Sequence, residues 1–392
     1  MNQALRQYAI VTGNYWAFTL TDGALRMLVV LHFHQLGYSP LAIASLFLFY
    51  ELFGVITNLL GGWLGARIGL NRTMNLGLGL QVLALGMLLA PVSWLTVPWV
   101  MAAQALSGIA KDLNKMSAKS AVKTLVPKGA EGQLYRWVAV LTGSKNALKG
   151  AGFFLGALLL GTLGFQGAIA AMAAALALVW LASLVLLKAE LGKARSKPKF
   201  RELLSKSAAI NWLSAARLFL FGARDVWFVV ALPVFMSSQL GWDFWQVGTF
   251  MASWIIGYGL IQSQAPRLTR RSDGKGAAFW ALGLALVPAV LALGPLTQAP
   301  WLVGGLLLFG ALFAVNSSLH SFLIVRHANA DGVSLDVGFY YMANAMGRLV
   351  GTLLSGWLFQ WQGLALCLWV SSAFLLLAAL LVRPLSEPEQ AI

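Results

Sequence analysis

Twelve stretches of mostly apolar residues, each near twenty residues long, follow one another along this chain. A helix needs about 20 such residues to cross a bilayer. With Pro, Gly and charge clusters taken as breaks, the spans fall near 9–33, 41–65, 74–91, 97–121, 134–160 and 166–187. The second six fall near 209–237, 244–264, 277–295, 301–325, 335–359 and 363–382. The expected fold class is therefore an all-α membrane protein of twelve transmembrane helices.

Composition agrees. Of 392 residues, 59% are hydrophobic and 10% charged, against about 25% charged in soluble globular chains. Sixteen tryptophans and forty glycines suit interfacial ring belts and close helix contacts. The net charge of +15 can mark a nucleic-acid binder, but this chain is too apolar for that class. A single cysteine, Cys367, excludes an internal disulfide and a Cys-rich metal site. Asn14, Asp22 and Arg26 interrupt the first apolar run and no small-x-small site follows, so the N-terminus does not read as a cleaved signal peptide.

The basic residues set the orientation. Connections on one side carry Arg67 and Arg72, Lys123 and Lys128, Arg267, Arg270, Arg271 and Lys275, and Arg326. The link "KAELGKARSKPKFRELLSK" lies on that side too. Connections on the other side ("QLGYS", "VSWLT", "TLGFQ", "LGWD", "GPLTQA", "WQG") have no Lys or Arg. Both termini and the link are thus expected on the cytoplasmic side. The link's charge orients the protein and meets anionic headgroups.

The same link divides the chain into 1–187, a basic linker 188–208, and 209–392. An internal repeat supports that division. "PWVMAAQALSGIAKDLNK" (98–115) aligns without a gap on "PWLVGGLLLFGALFAVNS" (300–317), bringing Pro98 to Pro300, Gly108 to Gly310 and Asn114 to Asn316. "DGALR" (22–26) faces "FGARD" (221–225). Two six-helix bundles related by pseudo-symmetry are expected.

This pattern resembles the major facilitator superfamily. "GGWLGARIGLNRT" is similar to that superfamily's signature Gly-x-Leu-Ala-Asp-Arg-x-Gly-Arg-Lys, with Gly62, Leu64, Arg67, Gly69 and Arg72 in or near register. The resemblance assigns Gly62, Arg67, Gly69 and Arg72 to a gating loop. The signature Asp is Ala66 here. The superfamily's drug-antiporter motif needs a Gly-Pro pair, absent from "GSKNALKGAGFFLG". The resemblance also implies alternating access, with substrate near the midplane between repeats.

Ionisable groups inside a span cost at least about 2.5 kcal/mol each at the centre. Near mid-depth lie Arg26, Lys111, Lys115, Lys145, Lys149, Arg217, Arg224 and Arg348, against Asp22, Glu51, Asp112 and Asp225. Eight cations minus four anions leave an excess of four positive charges. They lie on helices one, two, four, five, seven and eleven, and the resemblance makes these the helices lining or flanking the central cavity. Lys111, Lys115 and Lys119 recur every fourth residue and share one face.

Buried positive excess calls for an anion carrying several charges. Arginines grip phosphate or carboxylate in bidentate fashion and lysines act as point charges. Candidate substrate-binding residues are Arg26, Lys111, Lys115, Lys145, Lys149, Arg224 and Arg348, with Asn14, Asn316 and His320. Asp22, Glu51, Asp112 and Asp225 are the candidates for proton coupling or charge relay. The alternative is structural: Asp22–Arg26, Lys111–Asp112 and Arg224–Asp225 as pairs within or between helices. Asp22 and Arg26 are four apart and can bond directly. Sequence neighbours point about 100° apart on a helix and are expected to find partners elsewhere. His32 and His34 stand on opposing faces near the outer end and cannot share a metal while helical. No metal site or cofactor is expected. H-E-x-x-H, a serine nucleophile elbow and a phosphate-binding glycine loop are all missing, which reads as a transporter rather than an enzyme.

An inside-negative potential contributes about 2.3 kcal/mol per charge per 100 mV and drives a multivalent anion outward. Efflux or exchange is favoured over simple uptake. Finally, "VTGNYWAFTLTDGALRMLVVLHFHQLGYSP", "SGIAKDLNKMSAKSAVK", "TGSKNALKG" and "LFLFGARDVWFVVALP" resemble the bacterial organoarsenical efflux permease family, ArsJ. That resemblance implies export of 1-arseno-3-phosphoglycerate across the bacterial inner membrane. It also implies arsenate resistance and a functional partner, glyceraldehyde-3-phosphate dehydrogenase. An organophosphate exchanger or proton-coupled anion transporter would use the same cations.

Overall fold

The computed structural model describes residues 3–38, 46, 48–127, 129–187, 191–194, 206–269 and 272–385. Among these residues the regular structure is helical throughout, without strands. The termini beyond 3 and 385 and most of the link at 188–208 lie outside the described residues, as do the side chains of Glu51 and His34.

Twelve spanning segments result. They are α1 (Gln3–Gln35), α2 (Leu48–Ile68), α3 (Leu70–Leu88) and α4 (Val97–Leu125). One helix, Glu131–Leu186, contains α5 (131–163) and α6 (165–186), broken at Gly164. Then come α7 (Ala208–Gln239, in pieces Ala208–Phe228 and Ala231–Gln239), α8 (Phe244–Leu268), α9 (Gly274–Leu293) and α10 (Ala299–His327). A last long helix, Val333–Val382, holds α11 (333–361) and α12 (364–382), broken at Gln362 and Gly363. The breaks at Gly69, Gly164 and Gly363 have φ of 97°, 66° and 71°, a region that side chains with a Cβ rarely enter.

By length and composition alone, five helices qualify as membrane spans, and two of these are the broken ones. In α1 and α4 polar side chains such as Asp22, Arg26, Lys111 and Lys115 interrupt the apolar run, and α2 offers a shorter apolar helix, Leu52–Ile68. Those residues reappear below as the candidate site.

Two compact units divide the chain. The first comprises Met1–Ala130, Ser144–Ser205 and Asn329–Met342; the second comprises Glu131–Gly143, Lys206–Ala328 and Ala343–Ile392. In the first, α4 packs against α1, α2 and α3. In the second, α10 packs against α7, α8 and α9. The aligned repeat residues hold matching posts. Pro98 and Pro300 stand in the first turns of α4 and α10, where a missing N–H costs nothing. Gly108 admits Tyr50 of α2, whose carbonyl oxygen lies 2.8 Å from where a Cβ would be. Gly310 admits the Trp254 ring of α8, 2.9 Å from the equivalent position. Asn114 crowds Gly77 of α3, and Asn316 donates to the Ala277 carbonyl of α9 at 3.1 Å.

Glycine also joins α1 to α5 and α7 to α11. A Cβ on Gly23, Gly152 or Gly156 would lie 2.6, 2.7 or 2.4 Å from the Lys149, Leu20 or Ala24 carbonyl oxygen. A Cβ on Gly347 or Gly351 would lie 2.1 or 2.8 Å from the Leu218 or Gly222 carbonyl oxygen. Each pair of backbones is in direct contact, as small residues allow.

The expected gating loop is not a loop. Gly62 and Arg67 lie inside α2, Gly69 alone forms the break, and Arg72 is in the first turn of α3. Gly62 is instead a packing position: Ser334 at the start of α11 donates to its carbonyl at 2.7 Å. Arg67 lies 5.0 Å from the Trp63 ring centroid. Ala66, at the signature's acidic position, is fully buried. Its carbonyl accepts from the Ala194 amide at 2.8 Å, while the Leu70 amide donates to Leu191 at 2.9 Å. The start of the link is thereby stitched to the α2–α3 break.

Candidate functional site: two buried charge clusters

The first unit carries its charges on α1, α4 and the α2 and α11 aromatics beside them. Tyr50 of α2 is the centre. Its hydroxyl donates to Asp22 at 2.8 and 3.1 Å. On its ring lie the Arg26 guanidinium at 4.9 Å and the Lys111 ammonium at 3.7 Å. One turn along α4, Lys115 bonds Asp112 at 2.6 Å and lies 4.8 Å from the Tyr341 centroid. One turn further, Lys119 lies 4.5 Å from that centroid and donates to the Tyr341 hydroxyl. Asp22, Asp112 and Lys119 are 5%, 1% and 3% exposed, so burial in a low-dielectric medium strengthens each contact. Aromatic faces attract cations without neutralising them.

The second unit's cluster centres on Asp225 of α7, 1% exposed. Arg224 donates to its Oδ1 at 2.6 Å and Arg348 of α11 to its Oδ2 at 3.1 Å. Arg224 also lies over Phe221, Phe228 and Phe313 at 5.0, 5.8 and 5.5 Å. Two guanidiniums on one carboxylate leave the trio positive. Two turns away, Arg217 is buried and donates to Asn344 at 2.9 Å, to the Ser317 carbonyl at 3.1 Å and to the Ser317 hydroxyl at 3.3 Å. Tyr258 and Gln262 donate to the same hydroxyl at 3.0 and 3.2 Å. His320 is fully buried beside Arg217, and neither ring nitrogen has a partner among the described residues.

The expectation that sequence neighbours cannot pair is corrected at Arg224–Asp225. The arginine side chain is long enough to fold back onto the carboxylate one residue on. At Lys111–Asp112 the offset does redirect the carboxylate, to Lys115 three residues on. Asp22 is held by Tyr50.

Not every candidate joins a cluster. Asn14 donates to Ser183 at 2.8 Å and touches the Met74 sulfur at 3.7 Å. Asn316 is bonded to α9 as described. Both are engaged in helix packing. Lys145 and Lys149 are half-buried on α5 and each has an interaction partner. Glu51 lies on α2 with its side chain outside the described residues. Sequence reasoning missed three residues here: Tyr50, Tyr341 and Lys119 as a buried group. Only Lys119 had a signal, its place in the four-residue lysine repeat.

The sequence profile of the Major Facilitator Superfamily matches residues 11–335 and 213–391. No curated protein matches. Among solved structures, the human organic anion transporter MFSD10 (TETRAN) is similar with a TM-score of 0.80 at 19% identity, over 97% of this chain and 100% of that one. The E. coli fucose:proton symporter FucP gives 0.77 at 12% identity, over 97% and 99%. A bacterial homologue of the iron transporter ferroportin, in its outward-facing state, gives 0.76 at 16% identity, over 96% and 98%. Identities this low speak to the fold.

Proposed function

Because the chain belongs to the Major Facilitator Superfamily, a family of multi-pass membrane transporters, we propose that it exports a multivalent organic anion by alternating access. The observation that carries the proposal is a charge imbalance. The spans of α1, α4, α5, α7 and α11 carry eight cations, against four carboxylates in all the spans, and four carboxylates neutralise at most four. Asp225 is already shared by two arginines. The remaining positive charge suits a passenger with two acid groups. The structural neighbour described as an organic anion transporter supports the same substrate class.

The proposed cargo is 1-arseno-3-phosphoglycerate, a phosphate joined to an acyl-arsenate, and the ArsJ-like runs supply that identity. In this reading glyceraldehyde-3-phosphate dehydrogenase makes the cargo inside a bacterial cell. The protein sits in the inner membrane with both termini cytoplasmic, and the cell gains arsenate resistance. Arg26, Lys111, Lys115, Lys145, Lys149, Arg224 and Arg348 bind the anion. The outward drive is electrical, about 2.3 kcal/mol per charge per 100 mV.

Everted vesicles test this directly. Vesicles supplied with the dehydrogenase, triose phosphate and arsenate accumulate arsenic only when they contain the protein. If arsenic-free organophosphates move equally well and only against a counter-anion, the protein is an exchanger instead. If accumulation collapses with the proton gradient alone, it is proton-coupled.

A further inference from the structure

Arg224 of α7 sits in a cage of three phenyl rings. Phe221 and Phe228 lie three residues before it and four after it, on the same helical face. Phe313 reaches it from α10. The ring centroids are 5.0, 5.8 and 5.5 Å from the guanidinium carbon, within the range of a cation–π contact. All three rings are buried in the core of the second unit, whereas the arginine side chain is 15% exposed.

The donor count of Arg224 gives this cage its interest. A guanidinium has five N–H donors. The Arg224 Nε donates to Asp225 Oδ1 at 2.6 Å, and Nη2 lies 2.6 Å from the same oxygen. With both of those assigned to Asp225, three N–H groups remain, and Arg224 makes no other hydrogen bond among the described residues. Phenyl rings offer no hydrogen-bonding oxygen or nitrogen, so they hold the cation by its faces and leave its outer edge uncommitted. Phe221 is itself braced. The Arg217 guanidinium rests on it at 4.0 Å and is tied to Asn344 and Ser317. One ring thus serves two cations, as Tyr50 and Tyr341 each do in the first unit.

We infer that Phe221, Phe228 and Phe313 are positioning residues for anion capture. They fix the Arg224 guanidinium so that its outer edge meets two oxygens of an oxyanion in bidentate fashion. The rotamer freedom that an uncaged arginine loses on binding is here lost on folding, so it does not weaken the complex. A second carboxylate would fix the arginine as well, but it would cancel the charge the anion needs. The inference takes its ligand from the export reading above.

The test replaces Phe221 with mono-, di- and trifluorinated phenylalanine in the full chain, held in lipid nanodiscs. Fluorine nearly preserves the ring's shape while draining negative charge from its face, so packing is kept and the cation–π contact is not. Two quantities are read: the rate at which phenylglyoxal modifies Arg224, by mass spectrometry, and the affinity for 3-phosphoglycerate, by equilibrium dialysis. Along the series modification quickens and affinity falls stepwise, each by about tenfold in the trifluorinated protein, while Phe221→Tyr stays within about twofold of the parent. A rate and an affinity that ignore the number of fluorines overturn the inference. A quickened rate with unaltered affinity overturns it too, because the caged arginine then takes no part in capture. If the parent protein binds no 3-phosphoglycerate, the export reading fails for that probe and the modification rate decides alone: a rising rate upholds the cage and a flat one overturns it.

Discussion

Lys119 donates a hydrogen bond to the Tyr341 hydroxyl and rests 4.5 Å from the centroid of the same ring. Lys115 shares that ring at 4.8 Å. One tyrosine of α11 thus steadies two rungs of the lysine stripe by two means. The π face serves both cations, and the hydroxyl accepts from Lys119.

Those means separate by substitution. Tyr341→Phe keeps the face and removes the hydroxyl, and is expected to cost about 2 kcal/mol, the worth of a hydrogen bond from a buried charge. Tyr341→Ala removes both and costs more. Thermal unfolding of the purified protein measures this, and equal shifts for the two variants would sink the idea.

Asp225 holds two arginines, so Asp225→Asn leaves two partly buried guanidiniums facing an amide. Breaking one side of a buried ion pair costs about 3–5 kcal/mol, and the lower value is expected because Arg348 is 31% exposed. Asp225→Asn/Arg348→Gln should recover part of the loss. A double variant less stable than the single one contradicts this.

Lys111→Gln and Arg224→Gln each remove a cation that rests on an aromatic face. Both are expected to abolish anion export from vesicles while the protein still reaches the membrane in normal amount. Normal export, or normal arsenate tolerance of cells carrying either variant, counts against the proposed role.

The glycine seams predict a contrast. Gly156→Ala and Gly347→Ala drive a methyl to within 2.4 and 2.1 Å of a carbonyl oxygen, and overpacking of this kind costs about 1–3 kcal/mol or more. Gly283→Ala and Gly304→Ala meet nothing within 4 Å and should be neutral or stabilising by up to about 1 kcal/mol. Melting temperatures of the four variants decide the matter.

How much of this was legible beforehand depends on the kind of signal. Helix positions were readable because bilayer thickness imposes a length that no soluble chain need obey. The repeat was readable at Gly108 and Gly310 because each must admit a close neighbour, the Tyr50 backbone at one and the Trp254 ring at the other. Helix continuity was not: "TLGFQ" and "WQG" read as loops, yet a break at Gly164 alone, and at Gln362 and Gly363, suffices there. Nor was "GGWLGARIGLNRT" a loop, since helical φ and ψ continue on both sides of Gly69. In the site, the charges announced themselves by costing too much to face lipid. Their supports did not. Tyr50 and Tyr341 look like any other membrane aromatic in sequence, and only geometry shows cations on their faces. The fold-back of Arg224 onto Asp225 was missed because helical direction governs Cβ, not the far end of a long side chain.

The seams between α1 and α5, and between α7 and α11, carry a mechanical consequence. Where main chains touch, no intervening layer of side chains can change rotamer, so one helix cannot glide along the other. Each couple behaves as a stiff spar that transmits torque undiminished from end to end. Compliance must then reside where the helical ladder is interrupted, at Val229–Val230 of α7 and at Gly164 and Gly363. Those are the positions where a spin label would register bending first.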